Sequence, residues 1–178
     1  MGRDRFDILT GAALVVCLVA FGLLLAGARP QEESSAQLDK ALEQQLAYQA
    51  RIDFLTKLYR PVEELRDDGQ ASEALLKLDE LARKYPQEAH GEILRGEILT
   101  ERGAIKEAIE HYVLAVRLNG DYVDKASPLN RFQQISDLVD TQLPRFIEKG
   151  RKNPQNPAVQ NSLSGLYYLQ SRLAGGCE

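Results

Sequence analysis

The chain has 178 residues, 44% of them hydrophobic and 27% charged, which supports one modest core and leaves little room for a second domain. A formal charge of −4 offers no broad basic surface to neutralise a phosphate backbone, so nucleic acid is not an expected partner. The two cysteines, Cys17 and Cys177, are too few for a disulfide framework and wrongly spaced for a zinc site.

Residues 1–28 read as a membrane element. From Ile8 to Ala28 no side chain is charged, and eleven of the 21 residues are large aliphatics or Phe. A helix of that length rises roughly 30 Å, the thickness of a bilayer's hydrocarbon layer. The competing reading is a cleaved signal peptide, because Ala26-Gly27-Ala28 has the small-x-small form of a cleavage site. The apolar run exceeds the usual signal-peptide core of roughly 7–15 residues, which favours an uncleaved anchor. Arg3 and Arg5 precede the run and Arg29 alone immediately follows it, an N-in bias. A single-pass protein of the bacterial inner membrane, with the rest of the chain on the periplasmic side, is the expectation.

Residues 29–35, RPQEESS, are polar and lack apolar periodicity, as a juxtamembrane linker would. From Ala36 to Arg60 the apolar residues Leu38, Leu42, Leu46, Ile52, Leu55 and Tyr59 recur at helical spacing, with Ser34 or Ser35 available as N-cap. Residues 36–54 are therefore predicted to be a long helix leading into a series of repeats. A coiled-coil dimer competes with packing on the first repeat, but Gln45 and Gln49 interrupt the seam.

Beyond residue 54 the punctuation repeats every 34 residues: Gly69 and Gly103, Ala74 and Ala108, then Pro86, Gly120 and Pro154. Small residues where helices cross, with a breaker after each pair, indicate stacked helix-turn-helix units. The stretch Ala89–Tyr122 is the clearest, and there the chain resembles the tetratricopeptide repeat family. The family's small residue of the first helix falls on Gly96, its crossing residue of the second on Ala108, its aromatic on Tyr112, the next small residue on Ala115 and its closing turn on Leu118–Tyr122. The resemblance implies an all-α solenoid over residues 55–174, with units at about 55–88, 89–122 and 123–156, a capping helix at 157–173 and a flexible tail at 175–178. Pro61 is expected to kink or restart the first helix of unit one. Unit three keeps Phe146 and Pro154 but carries Gln142 and Lys149 at small-residue positions, together with Pro128 and Pro144. Its first helix is expected to begin late, capped by Ser127 after an irregular loop from Gly120.

Residues able to do chemistry are scarce. The two histidines, His90 and His111, lie 21 positions apart with no nearby ligand to complete a metal set, and no phosphate loop, haem motif or serine elbow is present. No catalysis, cofactor, metal or small-molecule substrate is expected. The basic cluster Arg145, Lys149, Arg151 and Lys152 reads first as a solvated helix end. In the resembling family, ligands lie on the concave face formed by successive first helices. By position this implies Tyr59, Glu63 and Arg66 in unit one; His90, Ile93, Leu94, Glu97 and Thr100 in unit two; Arg131 and Gln134 in unit three; and Asn161 and Tyr168 in the last helix. Ile93 and Leu94 would be its exposed apolar centre, unless the chain's own helices fill the groove. The implied function is a membrane-anchored scaffold or accessory subunit that binds protein partners, themselves membrane-associated, and assembles a complex. The alternative is a periplasmic chaperone-like factor holding clients beside the translocon or a cytochrome c assembly system.

Overall fold

The computed structural model describes residues 11, 13–23 and 32–175. All regular structure among them is helical, and the chain divides into two compact units, Met1–Gln49 and Ala50–Glu178.

In the first unit, residues 13–23 are helical, and the large side chains Leu14, Val15, Val16, Leu18, Val19, Phe21 and Leu23 are exposed. Among the described residues no helix is long and apolar enough to cross a membrane. Much of the predicted span 8–28, including residues 8–10 and 24–28, lies outside the described residues. The following helix, α1, runs Glu32–Asp67. It starts inside the stretch expected to be a linker and continues without a break through the predicted first helix of unit one. Pro61 therefore neither stops nor restarts it: the side chain is exposed, and Val62 beside it is fully buried. Leu42 and Leu46 are 54% and 61% exposed, so the predicted packing of this part of the helix on the first repeat is absent.

The second unit is a set of helical hairpins. The end of α1 turns at Gly69 into α2 (Ala71–Lys84), and α3 (Ala89–Glu101) turns at Gly103 into α4 (Ile105–Leu118). Both glycines have φ +75°, a left-handed conformation that costs a side-chain-bearing residue energy. The two turns are chemically the same. Gly69 N–H donates to Arg66 O at 2.8 Å and Gln70 N–H to Leu65 O at 2.8 Å; Gly103 N–H donates to Thr100 O at 3.0 Å and Ala104 N–H to Leu99 O at 2.9 Å. This paired pattern is the Schellman cap, which satisfies the last carbonyls of each helix and reverses the chain.

A loop then passes through a 3-10 turn at Gly120–Tyr122. It is pinned by the buried Tyr122 and Leu129, and by Arg131 N–H donating to Tyr122 O at 2.7 Å. Ser127 accepts from Leu129 N–H at 3.0 Å, but it caps a turn and not the helix expected there. That helix, α5, runs Phe132–Lys152, and α6 follows at Pro157–Leu173, capped by Asn156, which accepts from Ala158 N–H at 3.0 Å. The predicted third hairpin at 123–156 and separate capping helix at 157–173 are thus one longer hairpin, with α6 as its second arm. Pro144 does not divide α5, because the apolar stripe Ile135, Leu138, Val139, Leu143, Phe146 runs past it on the buried face while Pro144 itself is exposed. Pro154 sits in the link between the two arms.

The core gathers Tyr59 and Val62 of α1, Leu78 of α2, Ile93, Leu94 and Ile98 of α3, Ile109 and Tyr112 of α4, Phe146 of α5 and Leu166 of α6. Ala74, Ala108 and Ala115 are fully buried. Two close approaches depend on glycine. A Cβ on Gly96 would stand 3.1 Å from the Tyr112 ring, and one on Gly165 would stand 2.8 Å from Ile109 Cγ2, where α6 lies on α4.

Candidate functional site

α3 is enclosed within the unit, and its polar residues are held by groups from the hairpins on either side. Glu97 is 9% exposed. Its Oε2 accepts from Arg66 Nη1 of α1 at 2.5 Å, and its Oε1 accepts from Arg131 Nε, at the start of α5, at 2.9 Å. A carboxylate removed from water costs several kcal/mol unless paired, and here each oxygen has its own guanidinium. Burial pushes the Glu97 carboxyl above the ordinary carboxylate range, while Arg131 and Arg66 pull it back. The Arg66 guanidinium also donates to Asp67 Oδ1 from Nε and Nη2, at 3.2 and 3.1 Å. Arg131 Nη1 donates to Asn130 O at 3.1 Å.

Around this triad lies a cavity of about 460 Å³, lined by Arg66, Glu97, Thr100, Glu101, Tyr112, Arg131 and Gln134. Five of these seven are residues that the resemblance placed on a ligand face. Their spacing explains the convergence: Glu97 and Arg131 are 34 positions apart, and so are Arg66, Thr100 and Gln134 in turn. Equivalent positions on three consecutive first arms, α1, α3 and α5, therefore meet in one place. Thr100 donates its hydroxyl to Gly96 O at 2.8 Å. Burial raises the Tyr112 hydroxyl's pKa well above its usual value.

The remaining expected groove residues lie elsewhere. Ile93 and Leu94 are fully buried, so an exposed apolar centre does not exist. Tyr59 and His90 are buried as well, at 1% and 4% exposure. His90 Nδ1 is 3.0 Å from Tyr122 Oη, and its ring lies 5.0 Å from that of Tyr59. Desolvation, helped by the positive field of Arg131, pulls the His90 pKa down to about 4, and burial pushes Tyr59 up to about 12. This aromatic cluster is core, not contact surface. Glu63 is half-buried but does not line the cavity. Asn161 lines a different depression, of about 340 Å³, with Ile109, Val113, Arg117 and Ser164. Tyr168 is half-buried beneath Arg117, whose guanidinium carbon is 5.0 Å from the ring centroid. Both belong to α6, the second arm of its hairpin, which is why they do not continue the row of first arms. His111, expected to be exposed, is half-buried and lies 2.6 Å from Glu92 Oε2, linking α4 to α3.

Two members of the lining, Tyr112 and Glu101, are not marked as site residues by the sequence pattern. The repeat gives Tyr112 only a structural role, and Glu101 carries no pattern that separates it from other exposed carboxylates. Among the described residues no group of three or more His, Cys, Asp or Glu side chains is placed to hold a metal ion.

Losing the partner of a buried ion pair costs roughly 3–5 kcal/mol when the survivor stays dry. The Arg66 and Arg131 side chains are each 22% exposed, so water can reach them once Glu97 is gone. Glu97→Ala is therefore expected to cost about 2 kcal/mol in urea unfolding. Glu97→Gln, which keeps an acceptor, should cost less. A Glu97→Ala variant as stable as the parent would show that the triad contributes nothing to folding.

No protein-family model matches the chain, and no curated protein matches it.

Proposed function

We propose that this protein is a membrane-anchored, tetratricopeptide-like scaffold or accessory subunit, which binds a protein partner in the polar groove around Glu97 and helps assemble a complex at the inner membrane. The observation that carries the reading is the convergence of Arg66, Thr100 and Gln134, 34 residues apart, on one cavity open to solvent. Helical repeats that present equivalent positions along one surface make extended protein-binding faces. The uncharged run Ile8–Ala28 supports the anchor, with the hairpins on the periplasmic side. Tethering to the bilayer raises the effective concentration of a membrane-bound partner.

A photo-crosslinking residue at Gln134 of the full chain, in native membranes, tests this. It should join one defined protein in high yield, while the same probe at Arg151, exposed near the end of α5, should not. Equal labelling from both sites would overturn the docking reading. The intact mass of the purified protein, together with its resistance to alkaline extraction from membranes, checks the anchor.

A further inference from the structure

The cavity also constrains what the partner offers. All seven lining residues carry a hydrogen-bonding group, and none is aliphatic. An amphipathic helix docks through apolar anchors at i, i+3, i+4 and i+7, which need apolar pockets, and Ile93 and Leu94 supply none because both are fully buried.

The charges are already partly matched. Arg66 is held by Glu97 and Asp67, and Arg131 by Glu97, so neither guanidinium is an unsatisfied positive charge awaiting an acidic ligand. Counting Asp67, two positive groups face three negative ones, and the one left over is Glu101. Glu101 lies one turn beyond Glu97 on α3, is exposed, and makes no hydrogen bond or ion pair among the described residues. Its negative field is felt across the cavity, at Arg66, Glu97 and Tyr112. Gln134, one turn into α5 from Arg131, is likewise exposed and makes no hydrogen bond among the described residues. A primary amide offers donors and an acceptor together, which is what one peptide unit of an extended chain can pair with. A volume of about 460 Å³ is near the lower end of the range for ligand sites, enough for a short stretch of chain and not for a folded element.

We infer that the groove receives an extended polar segment of a protein partner, with a lysine or arginine of that segment on Glu101 and the neighbouring peptide unit on the Gln134 amide. This rests on the docking reading above and adds the partner's chemistry to it.

A positional-scanning hexapeptide library, presented to the detergent-solubilised full chain, provides the test. The parent protein should enrich Lys and Arg at one position, on the order of threefold over neutral residues, the size of a partly exposed ion pair. Glu101→Gln should lose that preference, and Glu101→Lys should turn it toward Asp and Glu. Both substitutions are at an exposed site, and unchanged circular dichroism confirms their fold. An acidic preference, no preference, no binding, or a basic preference that survives in Glu101→Gln overturns the inference. Binding that Gln134→Ala weakens but that shows no basic preference overturns only this inference and leaves the docking reading standing. Binding indifferent to both Glu101→Gln and Gln134→Ala overturns both.

Discussion

Leu94→Asp is expected to abolish cooperative unfolding of the helical unit, leaving a chain that no longer melts as a single transition in far-UV circular dichroism. Leu94 is fully buried on α3 among residues of the same apolar cluster. Truncating a leucine in such a place to alanine costs about 2–5 kcal/mol, and an unpaired carboxylate in place of the side chain adds a desolvation cost on top. Domains of this size hold only about 5–15 kcal/mol in total. Leu94→Met, which conserves volume, should by contrast lose less than about 1.5 kcal/mol. A Leu94→Asp protein that melted like its parent would place Leu94 on the surface and restore the apolar groove centre that its position in the repeat had suggested.

Acid is expected to destabilise the fold through His90. Its folded pKa is about 4, below the ordinary value of 6.5, so between those values the unfolded chain binds a proton that the native state refuses. The contribution is intact above pH 6.5, falls as pH drops, and is fully lost near pH 4. A gap of about 2.5 pH units at about 1.36 kcal/mol each amounts to about 3 kcal/mol. Glu97 acts in the opposite sense. Its carboxyl lies above the ordinary range, so the native state takes up that proton first as pH falls, and this partly offsets the loss. The two are separated by comparing urea unfolding at pH 7 and pH 4 for the parent and for His90→Gln, whose amide can still meet the Tyr122 hydroxyl. The parent should lose more stability than the variant; equal losses would mean that His90 is not the group responsible.

The positions legible in advance are those whose meaning is local. Gly69 and Gly103 stand 34 residues apart because each must adopt a left-handed conformation to close the same cap, and no neighbour in space is needed to see it. Asn156 followed by Pro157 announces the start of α6 in the same way, through a side-chain cap and a preset φ. Pro61 and Pro144 show the limit of such reading. Each removes a backbone donor, yet α1 and α5 run through them because the buried stripes on the opposite face hold the helices together. The merging of the expected third unit and capping helix into α5 and α6 has the same cause.

The groove divides along the same line. The chain alone determined its repeat spacing, its hairpin turns and the membership of Arg66, Glu97, Thr100, Arg131 and Gln134 in one row of equivalent positions. Only tertiary structure decided which side of α3 meets water. Seven of its thirteen residues, from Ala89 to Ile98, are buried, so neighbours cover it on more than one face. Periodicity assigns a helix one apolar side and cannot report a second cover, since that depends on elements 30 or more residues away in the chain. Enclosure turned Ile93, Leu94, Tyr59 and His90 into core, and it made Glu97 the buried link between two arginines of flanking hairpins.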